Sequence, residues 1–300
     1  MKLLAGVELG GTKCVCMLGT GPDDIRQHVR VPTMQPERTL GEIEGILDDW
    51  RTRHGPLEAL GIACFGPVDL NRRSATYGSI TSTPKSGWRN TDVGIRLARA
   101  ANVPMAMDTD VNAAALAEGR WGAAQGLSEF AYITVGTGIG VGLIARGQPL
   151  HGFAHPELGH IRVVRARGDD WAGSCGFHGD CLEGLASGPA IQARTGVRAD
   201  TLAVDHEVWN FVAHALGQLL HVLVLAAAPR RIILGGGVMS AQIHLFARIR
   251  TELKNSLGSY IEADELGSGL DNYVVPPTLG SMAGPMGALL LAGNALRHVT

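Results

Sequence analysis

Histidine, glutamate and cysteine crowd into two short stretches, "HPELGH" at residues 155–160 and "CGFHGDCLEG" at 175–184. Cys175, His178 and Cys181 form C-x2-H-x2-C, a compact set of soft and borderline donors suited to a tetrahedral zinc ion. The fourth ligand is open among His160, His155, Glu157 and Glu183. Closed structural zinc sites take sulfur and nitrogen, which favours His160. A second group of reactive side chains lies in "MDTDVNAAALAE", where Asp108 and Asp110 stand at the end of a strand-like run just as helical spacing begins. Open α/β folds put ligand chemistry at such strand ends. Either carboxylate could accept a hydroxyl proton there, and one of the two could simply cap the helix.

Three glycine clusters complete the set: "VELGGTKCVCML", "AYITVGTGIGVGLI" and "RIILGGGVM". In the first two an apolar run, a Gly-Thr turn and a second apolar run read as a β-hairpin whose turn carries little side-chain bulk. Backbone N–H groups at such a turn reach phosphate oxygens unobstructed, and the threonine hydroxyl adds a donor. Two matching turns suggest a polyphosphate held from two sides. The Walker pattern is absent from the sequence, and the run after Gly138 continues as a strand rather than the helix a dinucleotide fingerprint requires.

The elements that must carry these residues alternate. Leu40, Ile43, Ile46, Leu47 and Trp50 define one face of a helix in "TLGEIEGILDDWRTRH". "ALGIACFG" reads as a buried strand, "DVGIRLARAAN" as a helix, "VPMAMDTD" as a strand and "VNAAALAEGRWG" as a helix. The second half supplies a long apolar helix in "EVWNFVAHALGQLLHVLVLAA", the glycine strand, a helix over "AQIHLFARIRTELKNSL" and a last one in "MGALLLAGNAL". The two glycine hairpins open similar halves, a weak internal repeat in an α/β architecture. Cys14, Cys16 and Cys64 read as strand core, and His214 and His221, seven apart, as facing a partner helix.

Composition bounds the function. Across 300 residues, 45% are apolar, 18% are charged and the formal net charge is −2, which is globular and offers no field for a polyanion. Nucleic acid is therefore not an expected partner. Five cysteines without a pairing pattern suggest reduced thiols. Glu8 interrupts the N-terminal apolar run before it could serve as a signal core, and "HVLVLAAAP" is too short to span a bilayer. A cytoplasmic protein with no membrane partner is the expectation.

Taken in order, "GVELGGTK", "ITVGTGIGVGLI", "HPELGH", "CGFHGDCLEGLASGPAI", "ILGGGVM" and "LGSMAGPMGALLLA" resemble the sugar kinases of the ROK (repressor, open reading frame, kinase) family. The resemblance runs from about residue 5 to 296 and is strongest to the bacterial fructokinase branch. It implies the actin-like ATPase (ribonuclease H-like) fold, with two similar α/β domains around a central cleft. The expected division is 1–113 and 114–285, with a last helix at about 286–298 packing back on the first domain. It implies ATP as phosphoryl donor, with the triphosphate at Gly10, Gly11, Thr12, Lys13, Thr137 and Gly138, and adenosine near Pro189, Gly235, Gly236 and Gly237. Magnesium accompanies the nucleotide, and Glu8 stands where many members have Asp. Asp110 aligns with the catalytic base, and Thr109 replaces an Asn on the sugar side. Glu157, His160 and Glu183 align with residues that hold sugar hydroxyls, so His160 would serve both sugar and structural zinc.

The implied activity is phosphorylation of fructose to fructose 6-phosphate by a homodimer, with a broader hexokinase, mannokinase or glucokinase as the alternative. Sugar-sensing regulators of the same family carry a winged helix before the first hairpin, for which the residues ahead of Gly10 leave no room. A non-catalytic actin-like binding protein is disfavoured by Asp110 and the paired glutamates. "TSTPKSGW" at 81–88 resembles a sugar-side loop in which no residue is assigned.

Overall fold

The computed structural model describes residues 3–261, 263–267 and 270–297, which fall into two compact units. The first comprises residues up to Gly122, then Pro149–Pro156, and the chain from Ser281 onward; the second comprises Ala123–Gln148 and Glu157–Gly280.

In the first unit, β1 (Leu4–Leu9) and β2 (Lys13–Gly21) form the glycine hairpin, with Leu9 opposite Cys14. β3 (Asp24–Pro32) adds an antiparallel edge. Its "DIRQHVRVP" alternates charged outward positions with few apolar ones, so the sequence carries little strand signal. Helix α1 (Pro36–His54) buries Leu40, Ile43, Leu47 and Trp50 as its spacing requires. Strand β4 (Ala59–Cys64), helix α2 (Gly94–Ala101) and strand β5 (Met105–Thr109) follow, and β4 and β5 pair parallel to β1 and to each other. The sheet order is β3-β2-β1-β4-β5. Helix α3 (Asp110–Trp121) starts directly at the end of β5 and runs unbroken to the unit's edge at Gly122.

The second unit repeats this order. β6 (Phe130–Val135) and β7 (Ile139–Ala145) form the other hairpin, with β8 (Gln148–Pro149) as the short edge. After α4 (Leu182–Ala186), α5 (Gly188–Thr195) and α6 (Val208–Ala227), strand β9 (Ile232–Gly235) pairs parallel to β6. Then come α7 (Gly237–Ala241), α8 (Leu245–Leu257), α9 (Asp264–Gly267) and β10 (Val274–Val275), giving β10-β9-β6-β7-β8. Both sheets thus put the first hairpin strand at the centre, its antiparallel hairpin partner and an edge strand on one side and two parallel strands on the other.

One expected helix is broken. "AQIHLFARIRTELKNSL" splits into α7 and α8 because Gln242 turns inward: its Nε2 donates to Ala199 O (2.7 Å) and Leu202 O (3.1 Å). Helix α6 is long and apolar enough to cross a membrane by length and composition. Its Trp209, Leu216, Leu219 and Leu220 are nevertheless fully buried in the second unit's core. His214 and His221 on that helix meet α8, through Glu252 Oε2 (2.8 Å) and Ser256 Oγ (2.9 Å).

The last helix, α10 (Ala283–Arg297), belongs to the first unit and packs on β1, β4 and α3. Small residues make that contact. A Cβ on Gly61 would stand 1.8 Å from Ala288 O, and one on Gly287 would stand 2.1 Å from Ala113 O. The glycines let backbones meet where side chains would hold them apart.

Candidate functional site

The metal-type cluster lies in the second unit. Glu157 precedes a 3-10 turn, Leu158–His160, closed by His160 N–H donating to Glu157 O at 3.0 Å. The loop after it folds so that His160, Cys175, His178 and Cys181 bring one donor atom each within 4.8 Å of all the others. Nδ1 of His160 lies 3.5 Å from Cys181 Sγ and 3.7 Å from Cys175 Sγ, and Nδ1 of His178 lies 3.7 Å from Cys175 Sγ. A tetrahedral ion with Zn–S of about 2.3 Å and Zn–N of about 2.0 Å requires S···N edges of about 3.5 Å. The donor set therefore fits zinc in both chemistry and spacing. Burial pushes the Cys181 thiol up to about 11, so a cation is what would make it a thiolate near neutral pH. With Nδ1 turned to the sulfurs, Nε2 of His160 is the nitrogen left to donate elsewhere.

The other ligand candidates fall elsewhere. His155 is buried in the first unit, where its Nε2 accepts Val68 N–H at 3.1 Å. Burial holds its imidazole below the usual range. Glu157 is exposed. Glu183, in the first turn of α4, accepts Ile139 N–H on Oε2 at 3.0 Å.

The second unit also gathers its glycine motifs around one residue, Gly136. The carbonyl of Gly136 accepts Gly188 N–H at 2.8 Å, at the start of the helix that carries Pro189. A Cβ on Gly136 would lie 3.7 Å from Gly237 N. Gly236, at φ +90°, sits so close to β6 that a Cβ would stand 2.5 Å from Val135 O. Thr137 is exposed and Gly138 partly so, at the tip of the β6–β7 turn. Gly235 ends β9 beneath them. These glycines bring the β6–β7 turn, the start of α5 and the end of β9 together with little side-chain bulk, and the exposed Thr137 supplies the one hydroxyl.

In the first unit, Gly10 N–H donates to Lys13 O at 3.0 Å and closes the β1–β2 turn, leaving Thr12 and Lys13 exposed. Lys85 Nζ donates to Gly11 O at 2.5 Å. This brings a second ammonium to the turn from the 81–88 loop, and a lone lysine in a loop gave no signal for it. Glu8 lies on β1 over Gly284, where a Cβ would meet Glu8 Oε1 at 1.9 Å. Burial, then the Asp110 charge, raises its carboxyl to about 7 against the opposing pull of Lys13. A divalent cation bound beside it would favour the ionised form against that burial, so Glu8 is a residue that could face one.

At the β5–α3 junction the helix cap is Thr109 and neither aspartate: its Oγ1 accepts Asn112 N–H at 3.1 Å. The hydroxyl hydrogen is still able to donate outward. Asp108 is buried, and its Oδ1 collects Thr109 N–H (2.8 Å), Asn112 Nδ2 (2.7 Å) and His151 Nε2 (3.2 Å). The Asp108 hydrogen bond holds the His151 imidazole above its usual range. Asp110 is the second carboxylate of this junction. Burial raises it to about 6, against Val111 N–H, which donates to its Oδ1 at 2.9 Å. A carboxylate raised this far is still ionised at neutral pH but takes up a proton more readily than an ordinary one.

Comparison with known proteins gives the same picture at the level of family. The ROK family model matches residues 4–295. A fructokinase of Pediococcus pentosaceus is 40% identical over 99% of this chain and 99% of its own. A fructokinase of Zymomonas mobilis is 40% identical over 97% and 96%. A solved ROK family glucokinase from Streptomyces griseus, in complex with glucose and AMPPNP, superposes with a TM-score of 0.76 at 28% identity, covering 97% of this chain and 99% of that one.

Proposed function

The chain belongs to the ROK family of sugar kinases, with its actin-like ATPase fold, and from that premise we propose that it transfers the γ-phosphoryl group of ATP to D-fructose, giving fructose 6-phosphate. The observation that carries this reading is the end-to-end likeness to fructokinases at 40% identity, in a chain that carries Thr109 and C-x2-H-x2-C.

The sugar hydroxyl oxygen attacks the γ-phosphorus, the bond to the ADP oxygen breaks, and the hydroxyl proton passes to Asp110. Asp110 suits this because its raised carboxyl is ionised at neutral pH yet basic enough to take the proton. Glu157, Glu183 and the Nε2 edge of His160 hold sugar hydroxyls, with Thr109 as a further donor. Gly10, Gly11, Thr12, Lys13, Thr137 and Gly138 are read as the residues that receive the triphosphate. Pro189 and Gly235, Gly236 and Gly237 border the adenosine. The two compact units are read as the two domains of the fold.

Magnesium, when bound with ATP, neutralises phosphate charge, and Glu8 is the residue read as facing it. Zinc, when bound, is structural: His160, Cys175, His178 and Cys181 would hold it, and their part is to fix the loop that carries His160. The enzyme is read as cytoplasmic, consistent with five free cysteines. It is also read as a homodimer, for which the exposed Val222 and Leu225 of α6 offer apolar surface; sedimentation tests this directly. The activity is tested by incubating the protein with ATP, magnesium and fructose and identifying the product by phosphorus NMR. A phosphate monoester at C6 supports the reading, and unchanged ATP and fructose refute it.

A further inference from the structure

Two motifs that the sequence assigns to sugar and metal also touch the residue that follows the phosphate turn. Ile139 comes directly after Thr137 and Gly138. Its N–H donates to Glu183 Oε2 at 3.0 Å. Its carbonyl is met by Gly159 of "HPELGH", where a Cβ would stand 1.8 Å from Ile139 O. Gly138 lies against the same carboxylate, since a Cβ there would be 2.6 Å from Glu183 Oε2. Further along the same segment, Gly188 N–H reaches Gly136 O at 2.8 Å. Ile139 is thus gripped from both faces, and the turn ahead of it is tied at both ends.

We infer that Glu183 is a positioning residue for the nucleotide as well as a sugar ligand: it braces the Thr137–Gly138 turn and links sugar occupancy to ATP affinity. The inference rests on the kinase reading above. Among the described residues the Glu183 carboxylate makes no other hydrogen bond, so Oε1 remains for a sugar hydroxyl while Oε2 holds the Ile139 amide. A carboxylate accepting a backbone N–H is a strong, directional tie. A sugar that fixes Oε1 also immobilises Oε2, and the turn is then ordered before ATP arrives. The second ligand meets a smaller ordering cost, which is positive cooperativity without a new contact. Reciprocity requires ATP to tighten sugar by the same factor. The cysteine cluster feeds into this, because Cys181 stands two residues before Glu183. Loss of the cluster's ion would loosen the nucleotide turn as well as the sugar loop.

The test is calorimetric titration of the zinc-replete protein with AMPPNP and magnesium, alone and with saturating fructose, and with fructose alone. In the wild type each ligand should tighten the other by about fivefold or more. In Glu183→Ala the AMPPNP affinity should fall by about fivefold even with no sugar present, with zinc content unchanged. A sugar-only ligand would not move that number, so Glu183→Ala binding AMPPNP like the wild type would overturn the inference. Should Glu183→Ala fail to fold, Gly138→Ala serves. Its backbone φ is ordinary, and its new methyl must displace the Glu183 carboxylate. It should weaken fructose as well as AMPPNP, and unchanged fructose binding would count against the brace. Absence of AMPPNP binding by the wild type would instead bring down the kinase reading itself.

Discussion

Replacing Asp110 by Asn should remove turnover and at the same time make the protein more stable. Asp110 sits partly buried at the start of α3, and burial raises its carboxyl from 3.8 to about 6. At about 1.36 kcal/mol per pH unit, holding the ionised form in the fold costs about 3 kcal/mol at neutral pH. The sign is fixed by the direction of the rise. Below about pH 4 the carboxyl is protonated in both folded and unfolded chains, and it costs nothing. Between pH 4 and 6 the unfolded chain ionises first and the folded state loses stability, and above 6 the loss is constant. Asparagine keeps the shape and can still accept Val111 N–H through its carbonyl oxygen, but it never ionises. Asp110→Asn should therefore exceed the wild type by up to about 3 kcal/mol at pH 8 and match it near pH 4, read by urea unfolding without nucleotide or magnesium. Its kcat should fall by roughly two to four orders of magnitude, since the proton has lost its acceptor. A variant no more stable at pH 8 than at pH 4, relative to wild type, would refute the burial argument; near-normal turnover would refute the assignment of the base.

The remaining expectations follow from the same contacts. In the free enzyme kcat/KM for fructose should fall as pH drops through about 6, where Asp110 takes up its proton; a limb near pH 4 would show an unperturbed carboxylate acting instead. Metal analysis should find about one zinc per chain, and Cys181→Ser should lose it while raising KM for both substrates, because Cys181 leads directly into the Glu183–Ile139 contact. An effect confined to the sugar would contradict that link. Fructose should exceed glucose in kcat/KM by at least roughly tenfold, about 1.4 kcal/mol of transition-state binding, since misplaced hydroxyls leave the site's polar groups unpaired. Asp108→Asn should lower kcat far less than Asp110→Asn but cost stability, because Asp108 accepts three hydrogen bonds in a buried position; equal loss of turnover from both would undo the division of roles.

The sequence made the backbone plan legible wherever periodicity was strong. Both glycine hairpins, helix α1 with its Leu40–Trp50 face and the final helix all occur where spacing puts them. The metal-type cluster was legible for a different reason: C-x2-H-x2-C is short-range, and His160 alone among the upstream candidates completes it. Long-range pairings left no trace. Nothing in "DIRQHVRVP" announced an edge strand, because an edge needs only one half-buried face. Lys85 reaches Gly11 from 74 residues away, and His151 reaches Asp108 from 43. The spacing around Asp108 and Asp110 suited a cap at either, whereas the observed cap is Thr109. Side-chain competition among neighbouring cap formers is decided by what lies beneath the strand end, which a linear reading does not contain.

If Asp110 is the base of an ATP-dependent kinase that takes fructose as its acceptor, phosphoryl transfer to fructose must depend on its carboxylate. The most direct measurement is a coupled ADP-release assay over fructose, mannose and glucose, run in parallel on the wild type and Asp110→Asn. The expected result is ADP released in step with fructose consumed, mannose intermediate, glucose lowest, and the variant reduced by roughly two to four orders of magnitude. Glucose turning over as fast as fructose, or a variant as active as the wild type, would contradict it.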